Sequence, residues 1–456
     1  MFYMVTATMT QAVSRFLTFD LGKGDIAKLQ KTFSTSVNIL LLMSLVVVLL
    51  AETVGLWFIN DKLNIADERM MAANWIYQFS IFSFVLEMIS VPYSASVISH
   101  EKMGTFAFVT VAKVLLTLGI AFALTVSPID KLVFYGLLVF LVELTIQMMY
   151  WIYCRHNFAE CRYSLRMEKD IFREMFGFAG WNFLTTCASM LSTQGVSILL
   201  NMQFGPVINA ARGVASQING TVGAFHRNFT TAINPQITKT YAAEDFEYVK
   251  RLVCKGAKFS YLAFFFIALP CMIEINFFLS VWLKEVPAYA GIFVQLTLLN
   301  SLVEVLLNSS ETLNRATGKI RNFQLLVSAA QFAILIASYI ALKVTANPIL
   351  VVAMANIMYL LIFAPRILVN KPYVGMTFGY YYKEVLHGII MMSVISAALS
   401  LLPLMFMSDG WLRLITVGLI SSITIIITSA IFVLTKGERN MVVSFVKSKL
   451  ARKHSN

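Results

Sequence analysis

Asn209, Arg212, Ser216, Asn219, Gly223 and Arg227 follow one another at steps of three or four residues. On an α-helix that spacing lays them along one stripe. Arginine on such a stripe suits phosphate, because its planar guanidinium can make two charge-assisted hydrogen bonds at once. Two plainer roles stay open. Arg212 can pair with a helix carbonyl, and Arg227 can be an arginine of the membrane interface, where His226 is also expected. A second series, Glu304, Asn308, Glu311 and Arg315, occupies i, i+4, i+7 and i+11. Glu304 can pair with an arginine of the first stripe or bind a coupling cation, or the face can serve helix–helix hydrogen bonding. Glu87, Lys113 and Glu143 lie in three separate apolar runs. A lysine that neutralises one acid leaves the other free to titrate, which makes either a proton relay or an inert charge pair. Arg15 and Lys23 mark the cytoplasmic mouth of the first run, Lys23 as simple interface charge. Asn182, Thr186, Ser189 and Thr193 share one face of a helix and read as packing contacts.

The elements that must hold these residues follow from composition. The chain has 456 residues, 58% hydrophobic and 13% charged, whereas a soluble domain carries about 25% charged residues. Such a chain is a polytopic membrane protein. A nucleic-acid partner is excluded despite the net charge of +12, since the basic residues are scattered in short loops. Five cysteines without a C-x-x-C pair point to neither a disulfide framework nor a metal site. Roughly 20 helical residues cross a bilayer core. Apolar runs of that length lie near 1–19, 37–59, 73–99, 104–126, 131–154, 175–203, 206–238, 257–283, 289–314, 322–343, 348–369, 384–406 and 411–435. Thirteen spans make an all-α fold, because helices satisfy their own backbone in lipid. A charge at mid-bilayer costs about 2.5–3.5 kcal/mol on the most lenient scale, so Lys113, Arg212 and Arg227 should face a cavity.

Basic residues set the orientation. Arg15, the odd-numbered loops and the C-terminal tail hold 27 of the 36 lysines and arginines, Arg366 among them as a loop charge, and the even loops hold six. The richer side is cytoplasmic. Glu52 and Glu274, each shortly before a tryptophan, read as outer-interface residues. The segment from Arg155 to Phe176 sets Ile171, Phe172 and Met175 beside Arg166, Lys169 and Arg173, the pattern of an amphipathic stretch on the cytoplasmic leaflet.

The chain also repeats itself. Asp25-Ile26-Ala27-Lys28-Leu29 aligns with Asp245-Phe246-Glu247-Tyr248-Val249, 220 residues on, as Thr10-Gln11-Ala12-Val13 does with Thr230-Thr231-Ala232-Ile233. His100-Glu101-Lys102-Met103 aligns with Thr317-Gly318-Lys319-Ile320, 217 residues on. Parallel repeats predict two helical bundles around a central cavity. The expected division is 1–154 for the N-terminal bundle, 155–174 for the linker, 175–370 for the C-terminal bundle, 371–435 for two further helices, and 436–456 for a basic tail. The repeat sets the partner of the sixth span ahead of Met1. The expectation is an N-terminal bundle lacking its first helix, with fourteen spans in a complete chain.

Several strings carry a resemblance: Ser14-Arg15-Phe16-Leu17-Thr18-Phe19-Asp20-Leu21-Gly22-Lys23-Gly24-Asp25, Ala51-Glu52-Thr53-Val54-Gly55-Leu56-Trp57-Phe58, Val91-Pro92-Tyr93, Gly205-Pro206-Val207-Ile208-Asn209-Ala210-Ala211-Arg212-Gly213 and Asn234-Pro235-Gln236-Ile237. With these the whole chain resembles the O-antigen and capsule flippase branch of the multidrug/oligosaccharidyl-lipid/polysaccharide exporter superfamily. The resemblance implies alternating access, two bundles and an undecaprenyl-pyrophosphate-linked oligosaccharide as substrate. It implies a multi-pass protein of the bacterial inner membrane with its C-terminus in the cytoplasm, working beside membrane lipids, a polysaccharide polymerase and glycosyltransferases. Under that reading Arg212, Arg227, Asn209, Asn219, Glu304 and Asn308 line the cavity, and Glu87, Lys113 and Glu143 serve coupling or a charge pair. No cofactor and no metal is expected beyond a coupling proton or sodium ion, and no catalytic residue. Two other readings remain: a cation-coupled multidrug antiporter of the same superfamily, against which two cavity arginines speak, and a membrane-embedded glycosyltransferase or polymerase, for which the outer loops are too short.

Overall fold

A computed structural model describes residues 2–61, 67–127, 130–165, 167–345 and 347–440. Lys62, Arg166 and the basic tail beyond 440 lie outside the described residues. Thirteen long helices run in order, with no strand among the described residues. They are α1 (Phe2–Lys23), α2 (Ile26–Asp61), α3 (Asp67–Ser99), α4 (Met103–Val126), α5 (Lys131–Asn157), α6 (Lys169–Phe204) and α7 (Pro206–Ala242). The rest are α8 (Phe246–Ile273), α9 (Ala290–Thr317), α10 (Arg321–Thr345), α11 (Pro348–Val374), α12 (Phe378–Phe406) and α13 (Trp411–Val433). Eleven of the helices are long and apolar enough to cross a membrane; α1 and α7 are not among those eleven. For α7 the reason is its own polar stripe.

Several helices outrun the apolar runs that announce them. The second was expected from 37 but begins at Ile26, so Lys28 and Lys31 lie on its first turns. The Asp25 carboxylate accepts the Lys28 N–H at 2.9 Å and caps that start. The eighth was expected to reach 283 but stops at Ile273; a short helix, Ile275–Trp282, follows Glu274. Pro270 lies one turn before the break. Glu274 is not an interface residue. It is 1% exposed, and Arg413 of α13 grips its two carboxylate oxygens at 2.8 and 2.9 Å. The amphipathic stretch forms the first turns of α6, with Ile171 and Met175 buried and Lys169 and Arg173 exposed.

The helices form two bundles. One compact unit holds 1–186 and 238–245, the other 187–237 and 246 onward. The division therefore falls inside α6 and α7, both of which run without interruption from one unit into the other. The repeat is visible in the backbone. Gly24 and Glu244, 220 residues apart, both take left-handed φ, 72° and 62°. Their N–H groups bond the carbonyls of Leu21 and Tyr241, again 220 apart, each at 3.1 Å. Glu101 and Gly318, 217 apart, are left-handed too, at 57° and 75°, with N–H groups on Ile98 and Arg315. One turn chemistry ends corresponding helices in both halves, using glycine on one occasion and glutamate on the other.

Within the second unit, close packing depends on two glycines. A side chain at Gly256 would collide with Ser309 of α9, and one at Gly388 with the Phe432 carbonyl of α13. Small residues at such crossings let membrane helices approach backbone to backbone.

Candidate functional site

The polar stripe begins just beyond Gly205. The left-handed φ of that residue, 78°, breaks α6 from α7, and Pro206 opens the new helix. From there the α7 stripe runs along the interior of the second unit. Arg212, Ser216 and Asn219 line one polar pocket of about 290 Å³, with Ser189 and Thr193 of α6 on its wall. Asn219, Gly223, His226 and Arg227 line a second pocket of about 250 Å³ with Glu304, Asn308 and Glu311 of α9. Asn219 belongs to both, so the pockets adjoin. Asn209 lines neither; its carboxamide oxygen is buried without a hydrogen-bond partner.

The two arginines differ in their partners. Arg212 is half-buried and donates from Nη1 to the Ser197 hydroxyl at 2.7 Å. No acid lines its pocket, which is otherwise hydroxyl, carboxamide and apolar. Arg227 donates from Nη2 to the Gly220 carbonyl at 2.7 Å, one of the helix's own acceptors. Gly223 makes this reach possible, since a side chain there would meet Arg227 Nη1 at 2.7 Å. The carbonyl pairing expected as the plain role of Arg212 thus belongs to Arg227. The His226 ring packs edge-on against Phe264 at 5.5 Å, and its buried Nδ1 has no partner. That makes it a pocket residue rather than an interfacial one.

A relay connects the pockets. Gln331 Nε2 of α10 donates to the Tyr359 hydroxyl of α11 at 2.7 Å, and Tyr359 bonds Glu304. The Ser301 hydroxyl donates to Asn219 Oδ1 at 2.8 Å. Glu311 holds Arg315 at 2.5 Å and Arg366 at 3.2 Å. Arg366 is the residue that reading the sequence misplaced. It is no loop charge: it is 5% exposed, sits in the helix Phe363–Leu368 and lines the second pocket. The available signal was an arginine directly after Pro365, inside an apolar run. The ladder of α11 is interrupted at Ile362, whose place one turn before Pro365 fits the lost backbone donor, and the short helix beyond it sets Arg366 into the pocket.

On its other face α7 borders a different space. Ile218 and Val222 of α7, Ile267 of α8 and Leu414 of α13 line an apolar pocket of about 580 Å³, with Glu274 at its edge. One helix therefore borders polar, charged pockets on one face and an apolar pocket on the other.

In the first unit the intramembrane charges meet one another. Lys113 Nζ of α4 lies 2.7 Å from Glu143 of α5, and Glu87 of α3 is close enough to feel both. Arg15 is stacked on the rings of Phe16 and Phe19, 4.5 and 4.6 Å from their centroids, with Asp20 and Glu174 nearby. Asn182 and Thr186 donate back to carbonyls of their own helix, whereas Ser189 and Thr193, further along the same face, reach the first pocket.

No family model matches the chain, and no curated protein matches it by sequence. Solved structures do. A MATE transporter in complex with MaD3S superposes with a TM-score of 0.70 at 11% identity, over 82% of this chain and 85% of that one. The MATE multidrug transporter DinF-BH, solved with a bound ligand, gives 0.67 at 14% identity, over 82% and 86%. A MOP superfamily transporter from Pyrococcus furiosus, described with a binding pocket of reversed polarity that suggests a different function, gives 0.67 at 10% identity, over 80% and 84%. At these identities the likeness establishes the fold: two helical bundles of the MATE type.

Proposed function

We infer that this chain moves an anionic, hydroxyl-rich headgroup carried on a lipid across a membrane by alternating access, as an undecaprenyl-pyrophosphate-linked oligosaccharide would require. One observation carries the reading. Arg212 is a half-buried guanidinium in a pocket lined by serine, threonine, asparagine and apolar side chains, with a serine hydroxyl as its partner and no acid. An unneutralised charge there is costly unless a ligand of opposite sign visits it. The two faces of α7 give further support, because an amphiphile needs a polar chamber for its head and an apolar groove for its chain. Flipping makes and breaks no bonds; the work is desolvation and its compensation. In the bacterial case the C-terminus lies in the cytoplasm and a polymerase and glycosyltransferases are the neighbours in the pathway.

A second reading, cation-coupled multidrug antiport, is favoured by the fold comparison, since DinF-BH is a multidrug transporter. The Glu87, Lys113 and Glu143 cluster would then supply coupling. Vesicles reconstituted with the protein separate the two. A fluorescent prenyl-diphosphate sugar should become accessible to a membrane-impermeant lectin, and a fluorescent cationic dye should not accumulate under a proton or sodium gradient. Accumulation of the dye without movement of the sugar lipid would establish the second reading.

A further inference from the structure

Arg366 is more deeply buried than either other arginine that lines the two pockets, and its hydrogen bonding is incomplete. Of its three guanidinium nitrogens, Nη2 donates to Glu311 Oε2 at 3.2 Å. Nε and Nη1 are buried without a partner. The rings of Phe323 and Tyr359 lie 5.6 and 6.0 Å from its centre, a weaker compensation than hydrogen bonds to an anion. Glu311 is shared with Arg315, so one carboxylate answers two guanidiniums. Arg227 adds a further cation to the same pocket, against Glu304.

The atoms left over identify the sign of the ligand. A metal or sodium site would leave oxygens waiting for a cation. In this pocket the buried donors without partners are Arg366 Nε and Nη1, while its carboxylates are engaged with Tyr359, Arg315 and Arg366. Buried donors without acceptors call for an oxyanion.

We propose that the Arg366 pocket is an oxyanion-binding station for a phosphate or diphosphate group, distinct from Arg212. It rests on the transport reading only in assigning the phosphate to a lipid-linked cargo. Arg212 and Arg227 are fifteen residues apart, about 22 Å along α7. One diphosphate cannot touch both ends, so the stripe holds two stations with Asn219 between them. Glu304 sits beside the second station as a built-in repulsive charge, which keeps the anion from binding too tightly to leave.

The test is thermal stabilisation of the whole protein in nanodiscs, titrated with inorganic pyrophosphate and, separately, with a prenyl diphosphate. Saturable stabilisation is expected, weakened about tenfold or more in Arg366→Gln and partly kept in Arg366→Lys. Glu304→Gln should bind pyrophosphate more tightly than wild type, the reverse of what a cation site would give. This second variant keeps the test decisive if Arg366→Gln does not fold. Weaker binding in Glu304→Gln, no saturable stabilisation by either ligand, or unchanged affinity in Arg366→Gln would overturn the proposal. Preference for the prenyl diphosphate assigns the station to a lipid headgroup, and preference for pyrophosphate to a soluble phosphate. Binding through Arg366 without any flipping by the wild type would leave the station standing and remove the transport reading. Flipping with no loss of pyrophosphate affinity in Arg366→Gln would do the opposite.

Discussion

In the first unit, Lys113 meets Glu143 at 2.7 Å with Glu87 beside them, one cation among two acids. In the second, Arg212 has only a serine hydroxyl among its hydrogen bonds, and Arg366 leaves two nitrogens unpartnered. Three guanidiniums, Arg212, Arg227 and Arg366, face two carboxylates along its pockets. Glu101 of the first unit and Gly318 of the second end corresponding helices with the same left-handed turn, so the difference is one of side chains on a related frame. A closed charge cluster can be stable without a ligand. An open one is stabilised by a ligand of opposite sign, so under the proposed function the anion belongs to the second unit and the first is left for coupling or for stability.

Breaking a closed pair should cost more than removing an open charge. The largest effect is expected at the closed pair of the second unit. Glu274→Ala strands Arg413 with Asp409 alone and should lower unfolding stability by about 2–3 kcal/mol, measured as denaturant or thermal unfolding in nanodiscs. Glu143→Ala should cost less, about 1 kcal/mol, because Glu87 still lies close enough to answer Lys113; Lys113→Met with Glu143→Leu should recover most of it. If the double variant is as unstable as the single, the cluster does not act as a pair. Arg212→Met should not lower stability and should raise it by up to about 1 kcal/mol, since it removes a charge that no acid answers. A large destabilisation there would erase the contrast between the units.

The smallest effect concerns a helix start outside the membrane. Asp130 caps α5, accepting the N–H of Leu132 at 2.9 Å and of Val133 at 3.4 Å, with Arg69 at 2.5 Å. These bonds, the Leu132 N–H foremost, hold its carboxyl below the usual aspartate range. A depressed folded-state value means that the contribution is present above the unfolded pKa and fades as pH falls through the folded one. Asp130→Asn should therefore lower the melting temperature slightly at neutral pH, leave it unchanged at the acid end where the contribution is already lost, and so flatten the acid limb of the stability–pH profile. An unaltered acid limb would show that the cap carries no linkage.

Much of this was legible from residue types and spacing. The thirteen apolar runs correspond to thirteen long helices, and the step of three or four from Arg212 to Arg227 is a real face of α7. Helix starts were less visible, because amphipathic turns outside the membrane carry no apolar run; α2 begins at a capping aspartate instead. Arg366 was hidden by its position at the end of a span, where arginines normally reach for water. It lies in the short helix beyond the interruption at Ile362 and lines the second pocket. Tyr359 and Gln331 were equally silent, since a tyrosine and a glutamine in an apolar run gain meaning only from the acid on another helix that they meet. The partners of Arg212 and Arg227 could not be assigned from one helix, as a face defines direction and not distance.

Under the proposed function Arg212 meets the anionic head of a lipid-linked cargo. The direct measurement is lectin accessibility of a fluorescent prenyl-diphosphate sugar in vesicles carrying equal amounts of wild type, Arg212→Ala or Arg212→Lys. Arg212→Ala should lose about tenfold or more of the initial rate, while Arg212→Lys, a point charge without the fork, should keep a measurable part of it. Wild-type rates in Arg212→Ala at wild-type abundance would contradict the proposed function.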